Sequence, residues 1–378
     1  MLLAICLAAS ASAATSPHYL ITNDDLSGNF YKNSLTFYTI AANGQLTLTQ
    51  QVFIGVTGIA GGYFPANRVV ALNATGNQCV FASDAATGEI DSVSVETLAL
   101  TGSAMGSSGD TGLSNGIGLA LNTQYLYASF SDSNTIGTFQ IEPGCGLTFI
   151  GDVTVSGLQG GIIDGMKAHG NMLVATYGDG SIESFNLASG IPASNGDKQN
   201  STGSSGGSSY PSAVDITQDG QFALFGDTST ATIVEVSDIS SGKLTQTVVY
   251  QSPASINSSN IMLSPDETLL YISNTQGDRV TAAPFDAQTG TLSKGCVSNL
   301  LRGYSSAWSY LAGLGLASPT GNGQGVYVAE FGSPSSIAEV RLGVSNGSCT
   351  LAEAPGSPVA DPDSDGLLSI TTFPPRSF

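Results

Sequence analysis

The sequence predicts an all-β, seven-bladed β-propeller with four-stranded blades. Three observations carry that prediction: a strand repeat at blade period, companion strands around each copy, and a C-terminal segment able to close the ring. The repeat is a short apolar strand ending in a small or polar residue. It recurs as HYLIT at Thr22, CVFAS at Ser83, YLYAS at Ser129, MLVAT at Thr176, FALFG at Gly226, LLYIS at Ser273 and GVYVA at Ala329. These seven anchors are separated by 61, 46, 47, 50, 47 and 56 residues, the period expected of propeller blades.

Each anchor is followed by an Asp/Asn/Gly turn and a second alternating strand, as in EIDSVSV from Glu89, TIGTFQI from Thr135, SIESFNL from Ser181 and SIAEVRL from Ser336. With side chains alternating between faces, Val93 and Val95, or Phe139 and Ile141, are expected to face a neighbouring blade. A third strand opens with Gly-x-Leu-Thr/Ser, at Gly44-Gln45-Leu46-Thr47, Gly242-Lys243-Leu244-Thr245 and Gly290-Thr291-Leu292-Ser293, which reads as a hairpin turn into an outer strand. Blade four, at Ile191 to Asn200, lacks that signal and should have a weak outer strand. Gly/Ser-rich stretches such as Ser201 to Ser209 and Gly102 to Gly112 are expected to be blade-to-blade loops.

An innermost strand precedes six anchors: ANRVVALN from Ala66, NGIGLALN from Asn115, DGMKAHG from Asp164, PSAVDIT from Pro211, SNIMLS from Ser259 and LAGLGLA from Leu311. The first anchor has none before it. DGLLSITTF, from Asp365 to Phe373, has the same form, so it is expected to supply the inner strand of blade one and leave no open sheet edge at the junction.

Residues 1–14 carry an apolar run from Leu2 to Ala9 and the small-x-small pattern Ala11-Ser12-Ala13, which read as a signal peptide. Residues 15–378 then form a single propeller domain, expected to be secreted, extracellular or periplasmic, and monomeric. No run reaches the 18 or so apolar residues of a membrane-spanning helix, so membrane insertion is not expected. Cys79, Cys145, Cys296 and Cys349 remain after cleavage, and they fit either disulfides in an oxidising compartment, with three pairings open, or separate buried thiols. Asn73, Asn200, Asn257 and Asn346 lie in Asn-x-Ser/Thr triplets. Ten basic against 29 acidic residues give a formal charge of -19, which repels phosphate backbones and argues against nucleic acid as a partner.

Ser264-Pro265-Asp266-Glu267 leading into LLYISN, and Gln218-Asp219-Gly220 leading into FALFG, resemble the hairpins of lactonase-type propellers, a group including 6-phosphogluconolactonases and muconate-lactonising enzymes, and of YVTN-type propellers. The resemblance covers nearly the whole mature chain, and its motifs mark a turn and a strand. It implies a lactonase-like propeller that binds a small lactone or carbohydrate-derived ligand at the mouth of the central channel, with hydrolysis left undecided. The alternative is a non-catalytic extracellular binding propeller. Enzymes of the group are expected to use His, Arg and carboxylate groups near that mouth, whereas this chain has two histidines, His18 and His169.

Lys167 and His169 stand two apart on an inner strand and so share a face, with Arg68, Asn115, Asp215 and Asn260 on other inner strands. In a hydrolase, Arg68 or Lys167 would polarise the ester carbonyl while His169 or Asp215 activates water; the other reading makes them polar lining of a hydrated channel. Arg302, Tyr304 and Trp308 form an aromatic-rich approach to blade seven, joined by Tyr63, Phe64 and Tyr210 in equivalent loops, that would stack on a flat or sugar ligand or pack between blades. Asp361, Asp363 and Asp365 reproduce the Asp-x-Asp-x-Asp-Gly opening of calcium loops, but Thr372 stands where an EF-hand has Glu, and a strand follows. They are read either as a structural Ca2+ site or as a solvated acidic turn. No cofactor is required by the fold.

Overall fold

In the computed structural model, residues 18–24, 26, 33–55, 67–113, 116–155, 163–201, 211–227, 233–251, 258–274, 279–303, 311–316, 325–330, 335–345, 348–361 and 369–376 are described. Seven antiparallel sheets are arranged around one axis. Every anchor forms the second strand of a sheet, from Tyr19–Asn23 in blade one to Gly325–Glu330 in blade seven. The inner strands are Val69–Ala74, Ile117–Leu121, Ile163–His169, Pro211–Ile216, Ser258–Leu263, Leu311–Leu316 and Ser369–Phe373. Among the described residues no helix is long and apolar enough to cross a membrane.

The ring closes as the sequence predicts. Ser369–Phe373 pairs antiparallel with Tyr19–Asn23, Tyr19 opposite Phe373 and Thr22 opposite Ile370. The cores lie between blades, because each sheet presents apolar side chains on both faces. Phe81 and Ile90 of blade two pack with Leu126 and Phe139 of blade three, and Leu20, Tyr38 and Ile370 of blade one pack with Tyr327 and Ile337 of blade seven. Each such aromatic or aliphatic side chain, fully buried, contributes about 1.5–3 kcal/mol, so the ring is held by its interblade seams. Tyr127 and Tyr327 occupy the same place in their anchors and bind across seams, donating to the Gly190 carbonyl at 3.2 Å and the Gly44 carbonyl at 2.5 Å.

The four cysteines form two disulfides. Cys79–Cys145 ties blade two to blade three, and Cys296–Cys349 ties blade six to blade seven. Blade four has the weak outer edge expected of it, reduced to Ala193–Ser194 and Gln199–Asn200. One expectation is corrected: Gly102 to Met105 belong to the outer strand Ala99–Met105, so the loop between blades two and three begins only after Met105. Across that outer pair the Ser92 and Thr101 hydroxyls share a hydrogen bond and the Thr101 hydroxyl also contacts the Ser92 carbonyl, which lets a Gly/Ser-rich sequence hold a strand. Residues 1–17, and with them the predicted signal segment, lie outside the described residues.

Candidate functional site at the lower mouth of the channel

Inner strands run the same way around the axis. At their beginnings, the Arg68 N–H donates to Ser369 Oγ (2.9 Å), and the Leu119 N–H to the Asn67 carbonyl (2.6 Å). Near their ends, the Leu263 N–H donates to Asp215 Oδ2 (2.8 Å). The channel therefore has an upper mouth where inner strands begin and a lower mouth where they finish, about 20 Å apart at the usual strand rise.

This direction separates the predicted site residues. Arg68, immediately before Val69–Ala74, is buried at the upper mouth, while Lys167, His169 and Asp215 sit at or near the ends of their strands, at the lower mouth. One shared site containing Arg68 and His169 is thus not formed. Asn260 is buried and lines the channel with Lys167 and Asp215. Arg302 is largely exposed and committed to the edge of blade seven, its Nε 3.1 Å from Glu353 Oε2 and its Nη2 donating to the Ala354 carbonyl at 2.7 Å. Asn115, Tyr304, Trp308, Tyr63, Phe64, Tyr210, Asp363 and Asp365 lie outside the described residues. Asp361 ends the short strand Val359–Asp361 and is buried beside Asp24, whose carboxyl is pushed up to about 8, first by burial and then by Asp361.

The lower mouth is organised by a residue that sequence reasoning passed over. Arg376 follows the closing strand and Pro374-Pro375, and it folds back under the channel. Its Nη1 lies 2.8 Å from Asp215 Oδ2, and its Nη2 donates to the Ile216 carbonyl (2.5 Å) and stands 3.8 Å from Glu267 Oε1. Lys167 Nζ approaches Asp215 Oδ1 at 3.3 Å. Asp215 also accepts the N–H groups of Ile216 (3.0 Å) and Leu263. Burial alone would raise its carboxyl, but Arg376 and then Lys167 hold it below the usual carboxylate range. Burial lowers the Lys167 ammonium, with Asp215 opposing, and burial followed by Lys167 and Arg376 lowers His169, which is neutral at pH 7. The only cue to Arg376 in sequence was a lone cation after a closing strand, and nothing local pointed it at Asp215.

Above this knot the channel leaves a cavity of about 130 Å³, lined mainly by aliphatic residues of the inner strands. Two larger hollows, of about 320 and 380 Å³, flank the knot on the lower face and share His169, Gly170 and Asn171. Amides and hydroxyls contribute to both walls, Asn186, Asn195 and Ser240 beside apolar Met172, Phe185 and Ile239 on one side, and Asn122, Thr123 and Gln124 beside Ala168 on the other. The upper side is acidic instead. Asp164 is buried there and pushed up to about 8 by burial and Asp179; Glu330 is pushed up to about 7 by burial and Glu353; and Asp91 to about 8 by burial, then Glu89 and Asp84.

The profile of the lactonase, 7-bladed beta-propeller family matches residues 85–353, and the chain belongs to that family. No curated protein matches the sequence. Among solved structures, it is similar to a protein of Bacteroides fragilis provisionally assigned as a 6-phosphogluconolactonase, at 16% identity and TM-score 0.72, covering 96% of this chain and 99% of that one. A protein of Bacteroides uniformis with the same provisional assignment is 16% identical with TM-score 0.69, covering 95% and 100%. A functionally unknown protein from Desulfotomaculum acetoxidans is 11% identical with TM-score 0.63, covering 93% and 98%. At these identities the likeness establishes the fold.

Proposed function

We propose that this member of the lactonase family is a secreted propeller that binds a small uncharged, polyhydroxylated molecule, such as a sugar lactone, at the lower mouth around His169, and that it does not hydrolyse it. The observation that carries this reading is that the charged groups at the lower mouth are spent on one another. Lys167, which shares that mouth with His169, is held by Asp215, and Asp215 is an ionised carboxylate saturated by two cations and two backbone N–H groups, which leaves it a poor base. Neutral His169 between two amide-lined hollows suits hydroxyl groups, which both donate and accept hydrogen bonds. A phosphorylated ligand is disfavoured by the charge of -19 and by Asp219 in the same wall. Calorimetric titration with D-glucono-1,5-lactone and its 6-phosphate tests this. Binding of the uncharged lactone, weakened at least about tenfold by Asn171→Ala, is expected; preference for the phosphate, or no binding of either, would overturn the reading.

A further inference from the structure

We propose that Asp84, Glu89 and Asp91 form a binding site for a hard divalent cation, best suited to Ca2+, on the upper side of blade two. The site is distinct from the Asp361 segment and from the lower mouth. Asp84 ends the strand Asn77–Asp84, and Glu89 and Asp91 open the next strand, Glu89–Ser94, across a tight turn. Asp84 pairs with Glu89 in register, and Asp91 is two residues further on, so the alternation of a strand puts all three on one face. One oxygen from each lies within 4.8 Å of the others.

A single Ca2+, with oxygens at about 2.3–2.6 Å, can touch ligands up to about 5 Å apart, whereas Mg2+ at about 2.0–2.1 Å spans only about 4 Å. Three carboxylates so close are typical of many exposed acidic turns, and proximity alone would mean little. Here Asp84 is fully buried and Asp91 is 1% exposed. The Gly55 N–H donates to the Asp91 carboxylate, yet Asp91 Oδ2, buried and on the shared face, accepts no hydrogen bond. A buried carboxylate oxygen without a donor is costly, and a cation between it and Asp84 removes that cost. Gly55 closes the fourth side: at φ +44° its backbone lies so near that a Cβ would stand 2.0 Å from Asp84 Oδ2. Half-buried Glu89 gives the ion a route to solvent and leaves room for water ligands.

The test is calorimetric titration of chelator-stripped full-length protein with CaCl2, paired with thermal melts. One ion per chain and a higher Tm are expected. Glu89→Gln, at the half-buried position, should fold normally by circular dichroism and weaken binding by at least about tenfold; Asp91→Asn should abolish it. Absence of binding for Ca2+, Mg2+ and Mn2+ up to about 10 mM would overturn the proposal. So would Ca2+ binding that Glu89→Gln leaves unchanged, including binding that Asp361→Asn removes instead.

Discussion

Asp215 carries more of the lower mouth than any other side chain, since two cations from different parts of the chain converge on it. With Asp215 and Arg376 both largely buried, removing the carboxylate takes away the charge that Lys167 and Arg376 share and leaves two like charges facing each other, with Glu267 at 3.8 Å from Arg376 as a more distant acid. Asp215→Asn is therefore expected to cost about 3–5 kcal/mol in urea unfolding. Adding Arg376→Ala to that variant should return part of the loss, because one of the two like charges is gone; a single-variant cost under about 1 kcal/mol would mean the knot contributes little. Lys167 and Asp215 were legible in sequence as inner-strand residues, though not as facing the channel. Arg376 was not, because a tail after two prolines has no period to read. Arg68 was assigned to the right kind of strand but to the wrong company, since residue spacing says which face a side chain takes and not which end of the channel it reaches.

At the level of strands and seams, the repeat made the architecture readable. Seven anchors, their hairpin partners and the closing segment are all local signals, and strand pairing with immediate neighbours keeps them so. The weak edge of blade four was visible for the same reason. Loop boundaries were harder, as the Gly102–Met105 stretch shows, because cross-strand Ser and Thr hydroxyl bonds stabilise a strand that composition reads as loop. Removing residues 365–378 should expose the edge of Tyr19–Asn23 and give aggregates in size-exclusion chromatography; a soluble monomer of native circular dichroism would contradict closure by this strand. The disulfides, closing loops across 66 and 53 residues, belong to this scale too. Replacing Cys79 and Cys145 by Ser together should lower stability by about 2–4 kcal/mol, measured by denaturant unfolding, with the fold retained because blade seams are apolar rather than covalent.

Across the whole molecule, charge is distributed unevenly along the channel axis. The upper side buries carboxyls such as Asp164 and Glu330 that are pushed up to about 8 and about 7, while the lower mouth holds its cations in a paired knot. Carboxyls raised from ordinary values of 3.8 and 4.5 to about 8 and about 7 bind protons in the folded chain that the unfolded chain has released. Their contribution to stability is present below about pH 4 and is lost as pH rises toward 8. His169, lowered by burial, works in the opposite direction below its ordinary value of 6.5. With Asp24 and Asp91, each also pushed up to about 8, joining these acids against one base, Tm in chelator should rise on going from pH 8 to pH 5, on the order of 5 °C, and Asp164→Asn should reduce the dependence. A Tm that falls over that range would contradict it. Under the proposed function this lactonase-family ring binds a lactone without hydrolysing it, because Asp215 is committed to Lys167 and Arg376. The most direct test of that reading follows the carbonyl of D-glucono-1,5-lactone by NMR with the wild-type protein and with a Lys167→Ala, His169→Ala double variant. Hydrolysis at the buffer rate for both is the predicted result; acceleration by the wild type that the double variant loses would contradict it.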